Sequence, residues 1–273
     1  MHTQFSFDTT DGDMAATCAR AVELGLPAVA FTEHAELTPT TVLADEIQFH
    51  AQHLRRLIPE GGGVMEPTTL DLDGYLESVA RCRDLFPGLR ILTGVEVGEP
   101  HRYTEQSAAL VKAGGFERVL GSLHSLEARG GFADVGALLH SDDPLGVFRS
   151  YLVELERLAA STAHFDVMAH VDFALRYLPD SARPFDLSVV EPEYRAALEA
   201  LARSGRAMEV NTKLPLAEQI LRWWHDVGGP AVTFGSDAHR PGRLAHGFAE
   251  AMAMVEAVGF RPAKDPVAPW RRG

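Results

Sequence analysis

Cysteine is scarce in this chain, with only 2 among 273 residues. Cys18 and Cys82 both fall in segments with helical hydrophobic spacing, so we expect two core thiols and not a disulfide framework. Long apolar runs are missing as well, since none approaches the roughly 20 residues of a membrane-spanning helix. The first residues show no basic stretch followed by an apolar one, so no signal peptide is indicated. We therefore expect a cytoplasmic protein.

Positively charged residues are also few, since the chain has 25 Lys and Arg against 38 Asp and Glu. The resulting net charge of −13 argues against nucleic acid or an anionic membrane as a partner, since both select basic surfaces. A local basic pocket for a small phosphate is still compatible with that average. We expect a small-molecule substrate as the partner, and the sequence leaves the oligomeric state open.

What the chain does contain is an alternation of short apolar segments with amphipathic helical ones, which is typical of a parallel α/β sheet or barrel. One helical segment, DMAATCARAVELG, is expected to begin at an Asp13 N-cap and to end at Gly25. The candidate strands are mostly apolar on both faces, as strands covered by helices must be. They are LPAVAFTEH (26–34), RILTGVEVG (90–98), RVLGSLH (118–124), FDVMAHVD (165–172), AMEVNT (207–212) and AVTFGSDAH (231–239), with MHTQF (1–5) as a seventh.

A single domain is predicted over residues 1–273, because no internal repeat or low-complexity segment divides the chain. The least regular stretch lies at about residues 36–69 and contains the sequence IPEGGGVMEP. We interpret this stretch as an inserted helix–loop element. Its loops would lie at the rim of a barrel, where they would contribute to substrate specificity.

Side chains able to bind metals stand at the ends of five candidate strands. In a parallel barrel the carboxyl ends of the strands converge on one face, where active sites are built. Imidazole together with carboxylate suits Zn²⁺, Mn²⁺ or Fe²⁺ better than Mg²⁺ or Ca²⁺, which favour oxygen ligands. The pattern predicts a metal site, most simply a multinuclear one, formed by His34, Glu96, His124, His170, Asp237 and His239.

The remaining histidines carry no comparable signal. His50 and His53 are three residues apart and lack the HExxH pattern of a zinc protease helix. Their spacing favours the solvated face of a helix within the irregular stretch. We therefore expect neither of them to take part in the metal site.

Taken in order, these segments resemble the PHP (polymerase and histidinol phosphatase) family, particularly its histidinol-phosphate-phosphatase-like branch. The resemblance covers essentially the whole chain. It implies a distorted (β/α)7 TIM-like barrel that holds two or three divalent transition metals, Zn, Mn or Fe. The motifs that carry it are HTQFSFD, FTEH, GVEVG, GSLHS, MAHVD, EVNTK and GSDAH.

The resemblance also implies a ligand set. Glu96 would bridge two metals, and the other ligands would divide among three sites: His2 and Asp237 for the first, His124 and His170 for the second, and Asp8, His34 and His239 for the third. The family's first motif is His-x-His, of which His2 matches the second histidine. The first histidine would fall directly before Met1, so we expect the natural start to lie upstream.

The reaction implied is hydrolysis of a small phosphomonoester, most closely histidinol phosphate, by a metal-bridging hydroxide. Glu96, Asp237 and His239 would be the catalytic residues. No Gly-x-Ser-x-Gly elbow occurs, so we expect direct attack without a phosphoenzyme. Basic side chains near the strand ends are candidates for binding the substrate phosphate, which needs donors besides the metals: Arg176, Lys213, Arg240 and Arg243.

Three alternatives stay open at this point. A nucleotide or a sugar phosphate would use the same metal core as histidinol phosphate. An amidohydrolase-type metal hydrolase would place a carboxylated lysine between its metals, whereas here Glu96 takes the bridging role and Lys213 is the only lysine at a strand end. A non-catalytic PHP-like domain would use the pocket for binding or regulation alone.

Overall fold

The computed structural model describes residues 1–50, 52 and 54–273. Its helices are α1 (Met14–Glu23), α2 (Leu72–Leu85), α3 (Thr104–Gly114), α4 (Val135–Ser141), α5 (Pro144–Ala160), α6 (Phe173–Arg176), α7 (Glu191–Ser204), α8 (Glu218–Asp226) and α9 (Phe248–Val258). Its strands are β1 (Ala28–Ala35), β2 (Thr40–Val42), β3 (Gly63–Met65), β4 (Arg90–Gly98), β5 (Arg118–Ser122), β6 (Ser125–Ala128), β7 (Gly131–Asp134), β8 (Val167–Met168), β9 (Ala207–Asn211), β10 (Ala231–Gly235), β11 (Phe260–Arg261) and β12 (Trp270–Arg272).

A parallel sheet forms the centre of the fold. Strands β1, β4, β5, β8, β9 and β10 lie side by side in chain order, and each neighbouring pair is parallel. Each of these strands coincides with a segment predicted from the sequence, with β1 extending one residue further to Ala35, so the α/β class is confirmed. The helices between the strands cover the sheet, and buried side chains such as Tyr151, Tyr194 and Trp224 fill the main core. Because the strands are parallel, their carboxyl ends meet on one face.

Helix α1 shows how closely the local signals match the structure. The Asp13 carboxylate accepts a hydrogen bond from the Ala16 N–H at 2.7 Å, and Gly25 follows the helix with a φ of +67°. Cys18 on α1 and Cys82 on α2 are buried free thiols, as expected. Burial is the main cause that raises the pKa of Cys18 to about 12, which leaves it a poor nucleophile.

The strand predicted at residues 1–5 is wrong, because this segment forms turns. Only its first two residues make contacts like those of a strand. The Met1 carbonyl accepts a hydrogen bond from the Thr32 N–H, and the His2 N–H donates to the Ala238 carbonyl, both at 2.9 Å. The N-terminus thus connects β1 to the end of β10 without forming a full strand. A cavity of about 320 Å³, lined in part by Met1 and Phe234, lies between these two strands.

The irregular stretch also differs from its prediction. Strands β2 and β3 pair antiparallel, and the described residues between them contain short 3₁₀ turns and no α-helix. Glycine explains the tight return, since Gly62 has a φ of +92° and a Cβ there would lie 2.7 Å from the Val42 carbonyl oxygen. His50 is buried and not on a solvated helix face, whereas His53 lies outside the described residues.

At the other end of the chain, β12 pairs antiparallel with β10, and β11 pairs with β12. This small addition to the sheet carries no side chain of the predicted metal site. Within the described part of the chain, no helix combines the length and apolar character needed to cross a membrane.

Candidate metal centre

The eight side chains assigned as ligands lie together at the carboxyl ends of the parallel strands. Six follow from strand ends, because each parallel strand delivers its last residues to this face. The N-terminal turns bring the other two into the same space. The residues are His34 on β1, Glu96 on β4, His124 after β5, His170 after β8, Asp237 and His239 after β10, and His2 and Asp8 from the N-terminal segment.

The first close group contains Glu96, His124 and His170. Glu96 Oε1 lies 2.9 Å from His170 Nε2 and 3.3 Å from His124 Nε2. The two imidazole Nε2 atoms face each other at 3.3 Å. Two ring nitrogens at this distance cannot both carry a proton, so at least one presents a lone pair to the shared space.

The second group forms around the other oxygen of the same carboxylate. His2 Nε2 lies 3.6 Å from Glu96 Oε2 and 3.4 Å from Asp237 Oδ1. Glu96 therefore stands between two groups of potential ligands, one on each carboxylate oxygen. This is the arrangement that a bridging ligand requires.

Asp8, His34 and His239 form the third group. Asp8 Oδ2 lies 2.7 Å from His239 Nε2 and 3.4 Å from His34 Nε2. The His2 ring stacks on His34 with centroids 4.0 Å apart, so the second and third groups are direct neighbours. Ligand atoms of His2, His34 and His239 also lie within 4.8 Å of one another. We nevertheless group His2 with Asp237 and Glu96, because its Nε2 points between those two carboxylates.

These distances fit divalent transition metals. Two ligands of a tetrahedral metal at about 2.1 Å are roughly 3.4 Å apart, which matches several of the separations above. His239 adds an independent sign: its Nδ1–H donates to the Asp237 carbonyl at 2.9 Å, which turns Nε2 toward Asp8. Asp8 Oδ1 and His34 Nδ1 are buried and make no hydrogen bond within the described part of the chain. The nitrogen and oxygen donor set suits Zn²⁺, Mn²⁺ or Fe²⁺.

The carboxylates of the centre are held ionised. Burial opposes the charge on Glu96, but the positive character of His170 and His34 outweighs it and holds the pKa of Glu96 well below its usual range. Burial likewise opposes the charge on Asp237, and the close approach of the His2 ring together with the charges of Lys213 and Arg176 lowers its pKa. The centre is thus a concentration of negative charge in a buried place, which favours cations.

The histidines respond to the same charges in opposite ways. Burial, followed by the charge of His34, holds the pKa of His2 well below 6.5, so His2 is a neutral imidazole at pH 7. Burial also opposes the charge on His34, but Asp8 and Glu96 outweigh it and raise the pKa of His34 to about 9. In the metal-free protein, His34 therefore carries a proton that a bound metal would displace.

This difference predicts how the stability of the metal-free protein depends on pH. The pKa of His34 is about 9 in the folded chain and 6.5 in the unfolded one, so protonation of His34 stabilises the fold. This contribution is complete below pH 6.5 and is lost as the pH rises through 9. We expect the free energy of unfolding of chelator-treated protein to fall by roughly 3 kcal/mol over that window. Urea denaturation at several pH values measures it. The variant His34→Gln should show a shallower decline, and an identical slope in both proteins would contradict the assignment.

Several carboxylates that support the ligands were not anticipated from the sequence. Glu99 Oε1 accepts hydrogen bonds from the backbone N–H of His124 at 2.6 Å and of Ser125 at 2.9 Å. Glu209 Oε2 accepts from the His170 N–H at 3.1 Å. Each sits within or just after an apolar strand, where a buried charge needs a partner, and this signal could have identified both.

Glu36 is a third unanticipated residue. Its Oε1 lies 2.9 Å from His124 Nδ1, which leaves Nε2 of that ring directed at Glu96. A carboxylate on the outer nitrogen of a metal-binding histidine fixes the ring and makes it a better ligand. Only the fold brings the two together, since they are 88 residues apart in the chain.

The four basic residues expected to bind phosphate separate into two pairs. Arg176 Nη1 donates to Asp237 Oδ2 at 2.6 Å, and Lys213 Nζ lies 3.3 Å from Asp237 Oδ1. Both line the cleft above the centre. Arg240 and Arg243 are instead exposed to solvent and lie outside the cleft wall, because the chain turns away after His239.

The cleft has a volume of about 150 Å³ and opens directly over the three groups. The irregular stretch supplies one wall through Thr40, His50 and Met65. Phe7 and Tyr177 contribute aromatic surface on other sides. The space suits a small substrate whose polar end reaches the metal ligands.

Comparisons with known proteins identify the family of the chain. The PHP domain family matches residues 1–213. A "Probable histidinol-phosphatase" of Deinococcus radiodurans is 32% identical over 203 residues, which cover 70% of this chain and 74% of the relative. The histidinol-phosphatase of Lactococcus lactis is 23% identical over 205 residues, with coverage of 70% and 74%.

A solved structure extends the likeness to the fold. The crystal structure of histidinol phosphate phosphatase from Lactococcus lactis, complexed with zinc, L-histidinol and phosphate, matches with a TM-score of 0.78 at 20% identity. The match covers 96% of this chain and 92% of that one, so it extends beyond residue 213. By its motifs, its fold and the family match over most of its length, the chain belongs to the PHP domain family.

Proposed function

We propose that this protein is a metal-dependent phosphatase that hydrolyses a small phosphomonoester, with histidinol phosphate as the first candidate substrate. The observation that carries the proposal is the position of Glu96 between two groups of ligands, within a single centre of eight. The names of the relatives and the molecules bound to the Lactococcus lactis enzyme support the choice of substrate.

Each group of the centre has a distinct role in this proposal. Two or three divalent transition metals, held by the eight ligands, would supply Lewis acidity that activates water and neutralises charge on the phosphoryl oxygens. Glu96 and Asp237 provide the anionic charge that retains them. His239 borders the space between Asp8 and Asp237 and would hold a metal there together with Asp8. Arg176 and Lys213 offer positive charge to the substrate phosphate from the cleft wall.

Arg176 is the basic residue most suited to this role. It is only 8% exposed, and its Nε and Nη2 are buried without a hydrogen-bond partner in the described part of the chain. A guanidinium with free donors beside a metal centre matches the oxygens of a phosphate.

We expect Arg176→Ala to raise KM by about 10- to 100-fold, the loss typical of a charged hydrogen bond, and to lower kcat less. Steady-state kinetics with a phosphomonoester measures both constants. Arg240→Ala is the matched control, because Arg240 is exposed outside the cleft and should leave KM unchanged. A drop in kcat with an unchanged KM would show that Arg176 acts through Asp237 and not on the substrate.

We also propose that residues 1–273 act as one domain in the cytoplasm, without a nucleic-acid partner. The family match ends at residue 213, yet Asp237 and His239 complete the centre, which supports a functional unit that extends beyond the match. The two free thiols support a location in the cytoplasm, and the net charge of −13 supports the lack of a nucleic-acid partner.

The direct test is a panel of phosphomonoesters, assayed with Zn²⁺, Mn²⁺ and Fe²⁺ supplied separately. We expect histidinol phosphate to give the highest kcat/KM, ahead of nucleotides and sugar phosphates. A higher kcat/KM for another phosphomonoester would support the proposed reaction but contradict histidinol phosphate as the substrate. Bound metal with no hydrolysis of any phosphoester would favour a binding domain. Cleavage of an amide in place of a phosphoester would favour the amidohydrolase alternative, although Lys213 pairs with Asp237 and takes no bridging position.

A further inference from the structure

Glu33 anchors the N-terminal turns from beneath the metal centre. It is fully buried on β1 and accepts three hydrogen bonds from this segment. The Thr3 N–H donates to Oε2 at 2.8 Å, the Thr3 hydroxyl donates to Oε1 at 2.6 Å, and the Ser6 hydroxyl donates to Oε2 at 2.5 Å. The segment that carries His2 is therefore fixed to the sheet through one carboxylate.

The Ser6 hydroxyl has two further neighbours. Its oxygen accepts a hydrogen bond from the His34 backbone N–H at 3.0 Å and lies 3.3 Å from His2 Nδ1. A hydroxyl has one proton to donate and lone pairs to accept with. Because the proton of Ser6 goes to Glu33, the contact with His2 requires that His2 Nδ1 carries the hydrogen and donates it.

That assignment decides which form His2 adopts. With the hydrogen on Nδ1, the neutral ring has an unprotonated Nε2, and this atom faces Glu96 at 3.6 Å and Asp237 at 3.4 Å. Until a cation lies between them, the contact of Nδ1–H with the Ser6 oxygen holds this tautomer against the repulsion between the Nε2 lone pair and the two carboxylates. The geometry thus prepares Nε2 as a ligand before any metal arrives.

We propose that Ser6 and Glu33 are positioning residues that hold His2 in its Nδ1–H tautomer, with Nε2 directed at the metal shared by Glu96 and Asp237. The inference rests on the proposed function for the presence of the metal, but the tautomer itself is a property of the metal-free chain. A carboxylate acting through a hydroxyl here takes the part that a directly bonded carboxylate plays for many metal-binding histidines.

The first test is NMR of the ¹⁵N-histidine-labelled, metal-free protein at neutral pH, with the His2 signal identified from its loss in His2→Gln. We expect a protonated Nδ1 and an unprotonated Nε2 in the wild-type chain. A protonated Nε2 would overturn the proposal, since it would mean that Ser6 donates to His2. This measurement needs no variant of Ser6 or Glu33 to fold.

The second test compares Ser6→Ala and Glu33→Gln with the wild type in zinc competition against a chelator. We expect the dissociation constant of the weakest-bound zinc to rise about 10- to 100-fold in both variants. This is the usual loss of metal affinity when a residue that hydrogen-bonds a metal ligand is replaced. Ser6→Thr keeps the hydroxyl and should restore both affinity and tautomer.

The matched control is Thr9→Val. The Thr9 hydroxyl donates to the carbonyls of Thr3 and Ser6 in the same turns and contacts no ligand. Equal loss of zinc in Thr9→Val and Ser6→Ala would reduce Ser6 to a structural role and overturn the proposal. A wild-type chain with the expected tautomer and zinc affinity, but without phosphatase activity, would contradict the proposed function and leave this inference standing.

Discussion

We expect the replacement of Glu96 by glutamine to lower kcat/KM for phosphomonoester hydrolysis by about 10³-fold or more, a transition-state cost of about 4 kcal/mol. The two oxygens of Glu96 serve different groups, with His124 and His170 on one side and His2 on the other. Glutamine keeps the shape but loses the charge and turns an amide N–H₂ toward the ligands of one group. One change therefore weakens both neighbouring metal positions and alters their spacing.

Steady-state kinetics of Glu96→Gln, together with metal content, checks this expectation. Glu36→Gln is the graded comparison, because Glu36 contacts only the outer nitrogen of His124 and should cost about 10- to 100-fold. Glu127→Gln changes an exposed carboxylate on β6 and should have no effect. Equal small losses in Glu96→Gln and Arg176→Ala would argue against metal-dependent hydrolysis.

Removing the metals is expected to abolish the activity and to lower the thermal stability. The centre gathers Asp8, Glu96 and Asp237 around one space, so metals that bind there bind the folded chain and not the unfolded one. Each metal present at 100 times its dissociation constant adds about 2.7 kcal/mol to the free energy of unfolding. We expect two or three metals per chain, an activity at background level after chelation, and recovery on addition of Zn²⁺, Mn²⁺ or Fe²⁺.

Stepwise chelation should also remove the metals in a defined order. The group of His2, Glu96 and Asp237 has only one imidazole, so its metal should leave first. Because Glu96 links this group to the next, activity should fall with that first loss. Metal analysis and rate measured on the same samples test the coupling. Full activity after loss of one metal equivalent would contradict the ligand division, and full activity after exhaustive chelation would contradict the proposed chemistry.

Local sequence signals located most of the fold and the candidate ligands. A strand buried on both faces must be an apolar run, and a parallel strand delivers its last residues to the shared face, so β1, β4, β5 and β10 were visible together with His34, Glu96, His124 and Asp237. The Asp13 cap and the Gly25 stop of α1 are equally local. The likeness to the PHP family added His2 and Asp8, which no periodicity indicates.

Other features depended on the tertiary structure. Residues 1–5 have the composition of a strand, but pairing along a strand is decided by the neighbouring edges, and only Met1 and His2 meet β1 and the end of β10. The Gly61–Gly63 run helps to form a hairpin within the stretch predicted as a helix–loop element, because positive φ values there reverse the chain. Arg240 and Arg243 follow a ligand-bearing strand end, yet the direction of the next turn carries them into solvent.

The supporting carboxylates are the clearest case of what tertiary structure alone decided. The sequence by itself determined which residues are able to bind metal, because residue type and strand position are local properties. It did not determine that Glu33, Glu99 and Glu209 each accept hydrogen bonds from a ligand residue or from the turn that carries it, across 25 to 39 positions of chain. A buried carboxylate must find donors, but which donors it finds depends on the packing of strands that are distant in sequence.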